Sequence, residues 1–513
     1  MSRRRFAAIL VLLAWFASLG ALARRRHLAD TAPNLATAPR RLPPGSQFFS
    51  VKLGDQLVGL ASMTVDTTPG GIRVVQRYDL TLPGPIRTAR YWTDQTLSRG
   101  FSLDSFAASI PTGNDVTGVE GAMRGDSLLV MTMGAAGHAD SMLIPVKAPL
   151  VLPSALSLRA VVGARPAVGK TFDLTVLDPL TLSIRPATLR ITAESLFVVP
   201  DSTAMDSTTH RWVAAHSDTV PAYRLEEDGV PGVRWVDPEG YLLAEVTPEG
   251  YHLQRTAFEL VNEAYREVRG TGVKGAPLVA GRLTTPPPVR ATMAVLLNPR
   301  VASDSLLAGD RQRVSGDTLF IERDPELVMR DHSAINWNVR RRWAVARRDP
   351  APGIPSDDPE LAARARRILR GSHSPNESVR RLSRWVADHI AQTTTPGTPQ
   401  ALTAFRLRRG DDAAHALLFV AMVRAVGMSA RPVSGVVAVR GRWRWHAWAE
   451  VWMGQWIAVD PTWGQFPAEA SSVRLSADGI APPVLLLPLA ARLGAPLDLP
   501  TRMVSSTATA GQR

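Results

Sequence analysis

The sequence predicts an α+β fold in which a large antiparallel β domain precedes a smaller domain of helices followed by strands. The chain has 513 residues, too many for one ordinary core, and 45% of them are apolar. Apolar and polar residues alternate through much of 46–290, whereas helical spacing with capping signals begins near residue 358. We therefore expect two main domains, joined by a connecting region at 291–350.

Residues 1–26 have the features of an export signal. Arg3–Arg5 precede an apolar stretch that ends in Ala21-Leu22-Ala23, which is similar to a small-x-small cleavage site. The stretch, about 18 residues long, is at the lower limit for a membrane-spanning helix. Arg24–Arg26 disfavours cleavage, since positive flanks prefer the cytoplasm. A cleaved signal peptide and a membrane anchor therefore stay open, and both predict a membrane-anchored or periplasmic, extracytoplasmic protein. A Pro-rich linker follows at 27–45.

The β domain at 46–290 is predicted from strand-like alternation and from turn residues. Ile72, Val74 and Leu80 alternate with polar neighbours, after a predicted hairpin at Gly54-Asp55-Gln56. No catalytic constellation stands out in this region, so we expect a scaffold or a binding surface. Further strand-like runs lie at Leu128–Thr132, Thr171–Leu177, Thr188–Val199 and Arg234–Thr247.

The C-terminal domain, predicted at 355–475, begins with helices. Ser374-Pro375-Asn376-Glu377 is a capping box with proline at the first helical position. An apolar helix at Ala413–Val426 is ended by Gly427. Residues 476–513 are predicted as a C-terminal tail. The other predicted elements are a helix at Glu360–Leu369 and strands at Met428–Val439, His446–Trp452 and Trp456–Asp460.

Three blocks in this domain carry a family resemblance. They are Arg-Gly-Asp-Asp-Ala-Ala-His at 409–415, Trp-His-Ala-Trp-Ala-Glu-Val-Trp at 445–452 and Val-Asp-Pro-Thr-Trp-Gly-Gln at 459–465. In order and spacing the region resembles the bacterial transglutaminase-like superfamily, a branch of the papain-like thiol enzymes. The resemblance implies a papain-like transglutaminase-like α+β domain. The β domain before it looks like the β module of some envelope proteins in this group.

The resemblance also implies a site, and this chain departs from it. The family block reads Gly-Asp-Cys, and its thiol attacks a carbonyl with help from a histidine and an orienting acid. The histidine corresponds to His446 and the acid to Asp460. Asp412 occupies the position of the nucleophile, and the whole chain contains no cysteine. A carboxylate is a poor nucleophile toward an amide, so we expect a protein that lacks the usual reaction.

Asp412 has three interpretations. The first is structural: an aspartate in the first turn caps the helix, complements its dipole and pairs with His446, which should raise the histidine pKa. The second is a divalent metal bound by Asp411, Asp412, His446 and Asp460. The third is a replacement nucleophile, and the residues of suitable type are Ser434, Ser429 and Thr462. We favour the first and predict no metal and no cofactor. We interpret His415 as a helix-face residue.

The net charge of +13 does not indicate a nucleic-acid partner, because the arginines are dispersed and their excess is typical of a GC-rich genome. Clusters such as Arg364–Arg370 are solvated surface or, alternatively, attract anionic lipid headgroups or wall polymers. Tryptophans such as Trp443 and Trp463 are core or cleft wall, and one or two of them could line a groove for an extended peptide.

Three functions follow. The favoured one is a catalytically silent envelope protein that binds a peptide, a protein or a cell-wall component, with membrane contact through its N-terminal segment. The second is an atypical hydrolase or acyl-transfer enzyme that uses Asp412, His446 and Asp460, with or without a metal. The third is a structural envelope protein that acts through its β domain.

Overall fold

A computed structural model provides the structure of the protein. It describes residues 42–82, 88–112, 115–135, 138–161, 166–273, 279–298, 307–325, 348–393 and 399–497. The predicted signal or anchor segment, the cluster at Arg340–Arg342 and the tail from Thr501 onward lie outside the described residues. Among the described residues, no helix combines the length and the apolar character needed to cross a membrane.

The first half of the chain forms one 15-stranded sheet. Its strand order is β8-β7-β6-β5-β4-β3-β2-β1-β15-β14-β13-β12-β11-β10-β9, and every neighbouring pair is antiparallel except β9 with β10. The predicted antiparallel β domain is therefore present. The strands are β1 Gly45–Leu53, β2 Gln56–Thr67, β3 Gly71–Thr81, β4 Thr88–Ser98, β5 Leu103–Thr112, β6 Asp115–Arg124, β7 Leu128–Ala135, β8 His138–Pro145, β9 Leu150–Val151, β10 Thr171–Asp178, β11 Ser183–Met205, β12 Trp212–Glu227, β13 Val230–Val236, β14 Leu242–Val246 and β15 Tyr251–Thr256.

Local sequence explains how this sheet begins. Gly54 has a φ of 60°, a left-handed conformation that glycine adopts at little cost, and it turns β1 into β2 where the hairpin is predicted. Buried and exposed residues alternate along β4, so one face of the strand packs into the core. The predicted sequence alternation thus places Ile72, Val74 and Leu80 in the buried interior.

Seven α-helices are described. They are α1 Leu156–Val161, α2 Phe258–Thr271, α3 Pro359–Ile368, α4 Pro375–His389, α5 Ala401–Leu407, α6 Asp412–Ala425 and α7 Pro483–Arg492. At the start of α4, the Ser374 hydroxyl accepts a hydrogen bond from the Glu377 amide, and the Glu377 carboxylate accepts one from the His373 amide. These two bonds satisfy amides that the first helical turn leaves open, as the capping-box motif predicts.

The C-terminal domain packs α6 against a second sheet. Nearly every residue of α6 is buried, as its continuous apolar sequence predicts. The sheet has the order β16-β23-β22-β25, and β24 pairs with β23. Only the β16–β23 pair is parallel. These strands are β16 Val279–Arg282, β22 Ala430–Val439, β23 Arg442–Trp452, β24 Trp456–Val459 and β25 Ser472–Ala477.

Segments from the connecting region and the chain end complete the structure. A four-stranded sheet of order β18-β19-β17-β26 joins β17 Thr292–Leu297, β18 Gln312–Ser315 and β19 Thr318–Glu322 to β26 Leu493–Leu497. A two-stranded sheet pairs β20 Ala391–Gln392 with β21 Arg409–Gly410. Thus α7 and β26 lie within the segment predicted as a tail, and both pack into the folded protein.

The hydrophobic core of the large sheet continues into the C-terminal domain. Val51 and Leu80 of the sheet belong to the same buried cluster as Val473 of β25 and Leu486 of α7. A second cluster holds the apolar faces of α3, α4 and α5 against α6. The fold is therefore mixed and strand-rich, with a helical layer over the smaller sheet.

Candidate functional site

The start of α6 holds two aspartates with different roles. Asp411 is the residue before the helix, and its side chain accepts a hydrogen bond of 2.9 Å from the Ala414 amide. The capping role predicted for Asp412 therefore belongs to Asp411. Asp412 is the first helical residue, where the helix dipole favours a negative charge. It is 3% exposed, so its carboxylate depends on protein groups for hydrogen bonds.

His446 brings the predicted site residues together. It lies on β23, opposite Gly435 of β22. Its Nδ1 is 3.1 Å from Oδ2 of Asp412, and its Nε2 is 2.7 Å from Oδ2 of Asp460. Asp460 directly follows β24, which pairs with β23, so the two strands place it beside the imidazole. The order Asp412, His446, Asp460 is the one that the sequence resemblance implies.

Both oxygens of Asp412 are engaged by donors. Oδ2 accepts a hydrogen bond of 2.8 Å from the Ala447 amide in addition to the contact with His446. Oδ1 accepts one of 2.7 Å from the guanidinium of Arg282. Neither oxygen faces solvent, since the Asp412 side chain is 3% exposed.

Arg282 is the member of this site that the sequence does not reveal. It ends β16, and it pairs with Trp445 of β23 beside the histidine. Its guanidinium also lies 3.6 Å from Asp411. About a third of the Arg282 side chain is exposed, so it forms the outer layer of the cluster. No motif surrounds Arg282, and the strand that carries it comes from outside the predicted C-terminal domain.

The hydrogen bonds indicate that His446 is an imidazolium. Each ring nitrogen faces a carboxylate, which can only accept, so both nitrogens must carry a proton. Burial by itself lowers the pKa of His446, but the charge of Asp460 and hydrogen bonds to both carboxylates raise it to about 10. The structure thus agrees with the raised histidine pKa that the sequence predicts.

The aspartates respond differently to the same surroundings. Burial tends to raise the pKa of Asp412, yet the Arg282 charge and the His446 hydrogen bond hold the pKa of that carboxyl well below its usual range. Burial and the neighbouring Asp412 charge raise the pKa of Asp411. The charge of Asp412 in turn raises the pKa of Arg282. Asp412, His446, Asp460 and Arg282, hereafter the ion cluster, therefore hold alternating negative and positive charges.

The comparison with protein families matches the part of the chain that holds most of the ion cluster. Residues 362–461 match the model of the transglutaminase-like superfamily, a range that contains three members of the ion cluster. The chain carries a transglutaminase-like domain. A curated relative, the uncharacterized protein ML0607 of Mycobacterium leprae (strain TN), is 33% identical over 148 residues. That match covers 25% of this chain and 51% of the relative, so the chain spans about half the length of the relative it matches.

Two solved structures that are similar to part of this chain are a proposed cysteine protease and a periplasmic domain. One is a proposed cysteine protease from Cytophaga hutchinsonii, with 15% identity, a TM-score of 0.28 and coverage of 37% of this chain and 77% of that chain. The other is the periplasmic domain of TgpA from Pseudomonas aeruginosa, with 20% identity, a TM-score of 0.21 and coverage of 36% and 67%.

The transglutaminase-like domain has no thiol with which to perform the family reaction, since the chain contains no cysteine. Among the residues of suitable type for a replacement, the Thr462 hydroxyl has no hydrogen-bond partner among the described residues, so it is not bonded to the histidine. The Ser434 hydroxyl accepts a hydrogen bond of 3.2 Å from the Ala481 amide, and Ser429 is fully buried. Both nitrogens of His446 are already bonded to carboxylates, so neither can accept a proton from a serine or threonine hydroxyl. The domain is therefore catalytically compromised.

The metal-binding interpretation does not fit the geometry of the ion cluster. Asp412 and Asp460 lie at opposite nitrogens of one imidazole ring, so the three side chains do not converge on one point. A histidine also binds a metal through a ring nitrogen that carries no proton, whereas both ring nitrogens of His446 donate hydrogen bonds. Asp411 is engaged by the Ala414 amide.

His415, interpreted from the sequence as a helix-face residue, lies on a buried face of α6. It is fully buried, with Nδ1 2.7 Å from the Asp411 carbonyl oxygen and Nε2 3.0 Å from the Ile390 carbonyl oxygen. These bonds tie the start of α6 to the end of α4. His415 is thus a structural residue and takes no part in the ion cluster.

Proposed function

We propose that this protein is a noncatalytic transglutaminase-like protein of the cell envelope, exported or membrane-anchored through residues 1–26, which binds a peptide, protein or wall component. The ion cluster stands where a thiol enzyme would hold its nucleophile. In this proposal it serves as a fixed structural centre that keeps β16 and α6 on the sheet. In this proposal the transglutaminase-like domain binds a ligand and does not transfer acyl groups.

The engagement of Asp412 is the observation that carries the proposal. Its two oxygens receive hydrogen bonds from Arg282, Ala447 and His446, all between 2.7 and 3.1 Å. A nucleophile needs a free lone pair directed at its substrate and a neighbouring base that can take a proton. Asp412 is buried with both oxygens bonded to donors, and His446 is already protonated, so neither requirement is met.

A binding role for the domain is supported by polar groups next to the ion cluster. Three buried atoms in the loop after Asp460 have no hydrogen-bond partner among the described residues: Thr462 Oγ1, Trp463 Nε1 and Gln465 Oε1. A buried polar atom without a partner costs about 1–3 kcal/mol. A ligand with donors and acceptors, such as an extended peptide, would satisfy these groups.

The envelope location is proposed from the sequence. The basic residues at Arg3–Arg5, the apolar stretch after them and the Pro-rich linker at 27–45 are typical of an exported or anchored protein.

Restoring the thiol tests the proposal. The Asp412→Cys variant holds a single cysteine, so the pH dependence of its alkylation by iodoacetamide comes from one position. We expect a thiolate with a pKa below the free value of about 8.5, because Arg282 and His446 supply positive charge. The control is Asp412→Cys combined with His446→Ala, in which the pKa should return toward that value.

An independent assay addresses the native protein. Native protein and Asp412→Asn should both lack peptide hydrolysis and amine-for-amide exchange on a glutamine peptide. Turnover by the native protein that is lost in Asp412→Asn would contradict the noncatalytic proposal. A thiol that titrates near 8.5 with no dependence on His446 would instead show that the catalytic frame has been rebuilt.

A further inference from the structure

A cavity of about 390 Å³ lies between the large sheet and the C-terminal domain. Its volume is within the range of about 300–1,000 Å³ that is usual for small-molecule sites. One wall comes from strands of the 15-stranded sheet, and the opposite wall comes from α7 and the end of β25. The cavity is separate from the ion cluster, none of whose members lines it.

Most of the cavity wall is apolar or aromatic. Tyr78 and Tyr91 stack with their ring centroids 4.4 Å apart and an interplanar angle of 15°. Aliphatic side chains complete the surface, from Val51, Leu80, Leu253, Leu485, Leu486 and Leu489 among others. Such a surface suits a hydrocarbon chain or another apolar group.

The cavity wall holds more acidic than basic side chains. Of the described residues that line it, five are acids and two are arginines. Both arginines are already paired with lining glutamates. Arg234 donates to Glu245 at 2.7 Å, and Arg185 forms an ion pair with Glu227. The two arginines are therefore occupied by Glu245 and Glu227, and the cavity lining holds more acids than arginines.

Glu249 is the cavity acid whose hydrogen-bond partners are neutral groups. It lines the cavity from the turn between β14 and β15, and its carboxylate accepts hydrogen bonds from its own backbone amide and from the Thr247 hydroxyl. It shares the cavity wall with Tyr78, Tyr91 and Tyr251. Burial, followed by the nearby charges of Asp178 and Glu245, raises the pKa of Glu249 to about 7.

A second polar residue lines the same cavity. Thr93 lines the cavity and is 8% exposed, and its hydroxyl has no hydrogen-bond partner among the described residues. A buried hydroxyl without a partner is destabilising, so the site is incomplete as a purely structural feature. A ligand that brings a polar head beside an apolar chain would complete it.

From these observations we propose that the cavity binds an amphipathic molecule with an apolar chain and one ammonium group. The chain packs against the leucines, and the ammonium group pairs with Glu249 and lies beside the stacked rings of Tyr78 and Tyr91. A cation between a carboxylate and aromatic rings is stabilised by both. This inference goes beyond the proposed function, because it concerns the β domain and does not depend on whether the transglutaminase-like domain is silent.

Calorimetric titration with three matched probes tests the inference. Dodecylammonium, dodecanol and dodecanoate, each below its micelle concentration, share one chain and differ in the head group. We expect one dodecylammonium per protein, with affinity roughly tenfold or more above that of dodecanol, since only the ammonium group can form a charge-assisted contact with Glu249. Dodecanoate should bind most weakly.

Three variants locate the site. Glu249→Gln should bring dodecylammonium and dodecanol to similar affinity. Leu485→Trp, which fills the cavity from α7, should abolish binding of both. Glu120→Gln removes an exposed carboxylate on β6 and should leave binding unchanged. Thermal unfolding of each variant confirms that it is folded.

Equal affinity for dodecylammonium and dodecanol in the native protein would overturn the assignment of the ammonium group. Full dodecylammonium binding in Leu485→Trp would overturn the cavity as its location. Neither result would bear on Asp412, whose test is the alkylation of a different variant.

Discussion

Arg282 donates a hydrogen bond of 2.7 Å to Oδ1 of Asp412, although the two residues lie 130 positions apart in the chain. This bond joins the strand that follows the β domain to the first residue of the buried helix of the transglutaminase-like domain. It places a permanent positive charge beside Asp412, the residue that occupies the nucleophile position of this family. The Arg282–Asp412 pair thus contributes both to the ion cluster and to the attachment of β16 to the smaller sheet.

Removing the guanidinium should destabilise the protein through this pair. We expect Arg282→Ala to lower the free energy of unfolding by roughly 2–3 kcal/mol, less than for a fully buried pair because a third of the Arg282 side chain is exposed. Urea unfolding measures the change. The exposed Arg442 on β23 provides the control, and Arg442→Ala should cost less than about 0.5 kcal/mol. Equal effects of the two variants would contradict the structural role of Arg282.

Gly435 controls the position of His446 across the sheet. A Cβ atom at Gly435 would lie 2.0 Å from the Val473 carbonyl oxygen and 2.9 Å from Trp448. We therefore expect Gly435→Ala to push β25 or β23 away and to cost about 2 kcal/mol or more. Gly45→Ala is the control, since nothing lies within 4 Å of a Cβ there. Thermal unfolding compares the two, and a neutral Gly435→Ala would contradict the close packing.

Divalent metals should leave the ion cluster unaffected. Chelation by EDTA should not change the melting temperature, because Asp412 and Asp460 lie on opposite sides of His446. Asp201, His216 and Asp218 are exposed and have ligand atoms within 4.8 Å of one another, so added Zn²⁺ is also tested in His216→Gln. A Zn²⁺ stabilisation that persists in His216→Gln and disappears in Asp412→Asn would support a metal at the cluster and contradict the account.

The stability that His446 contributes should depend on pH. Its folded pKa, about 10, is above the unfolded value of about 6.5. The contribution is therefore complete below pH 6.5 and is lost as the pH rises toward 10, by roughly 1 kcal/mol per pH unit. Asp412 has a depressed folded pKa, so its contribution is lost only as the pH falls below its unfolded value of about 4.

The comparison of native protein with His446→Gln isolates this effect. Urea unfolding at pH 6, 7.5 and 9 should give a stability difference that shrinks as the pH rises. A difference that stays constant or grows over this range would contradict a raised histidine pKa.

Local signals in the sequence were sufficient to predict the elements of the transglutaminase-like domain. The capping box at Ser374 and the glycine that ends α6 act within one helical turn, so neighbouring residues determine them. The order of the blocks around Asp412, His446 and Asp460 predicted their proximity, because a family resemblance carries the fold with it. Alternation in the N-terminal half predicted an antiparallel sheet, although not its 15 strands.

The remaining parts depend on distant pairing, which leaves little trace in a single sequence. Arg282 reaches Asp412 only because β16 adds to the edge of β23 in parallel. The sequence places His415 on a helix face, but only the packing of α4 against α6 shows that its partner is the Ile390 carbonyl oxygen. The cavity near Glu249 arises where α7 lies over the large sheet, so no local pattern indicates it.

The protonation state of His446 is the most direct test of the account. In the native protein, the ¹⁵N resonances of the His446 ring, assigned by their loss in His446→Gln, report both nitrogens as the pH is raised. The account predicts an imidazolium that persists through pH 8.5 and loses its proton near pH 10. Loss of the proton near pH 6.5 would mean that His446 is available as a base, and would contradict a fixed ion cluster.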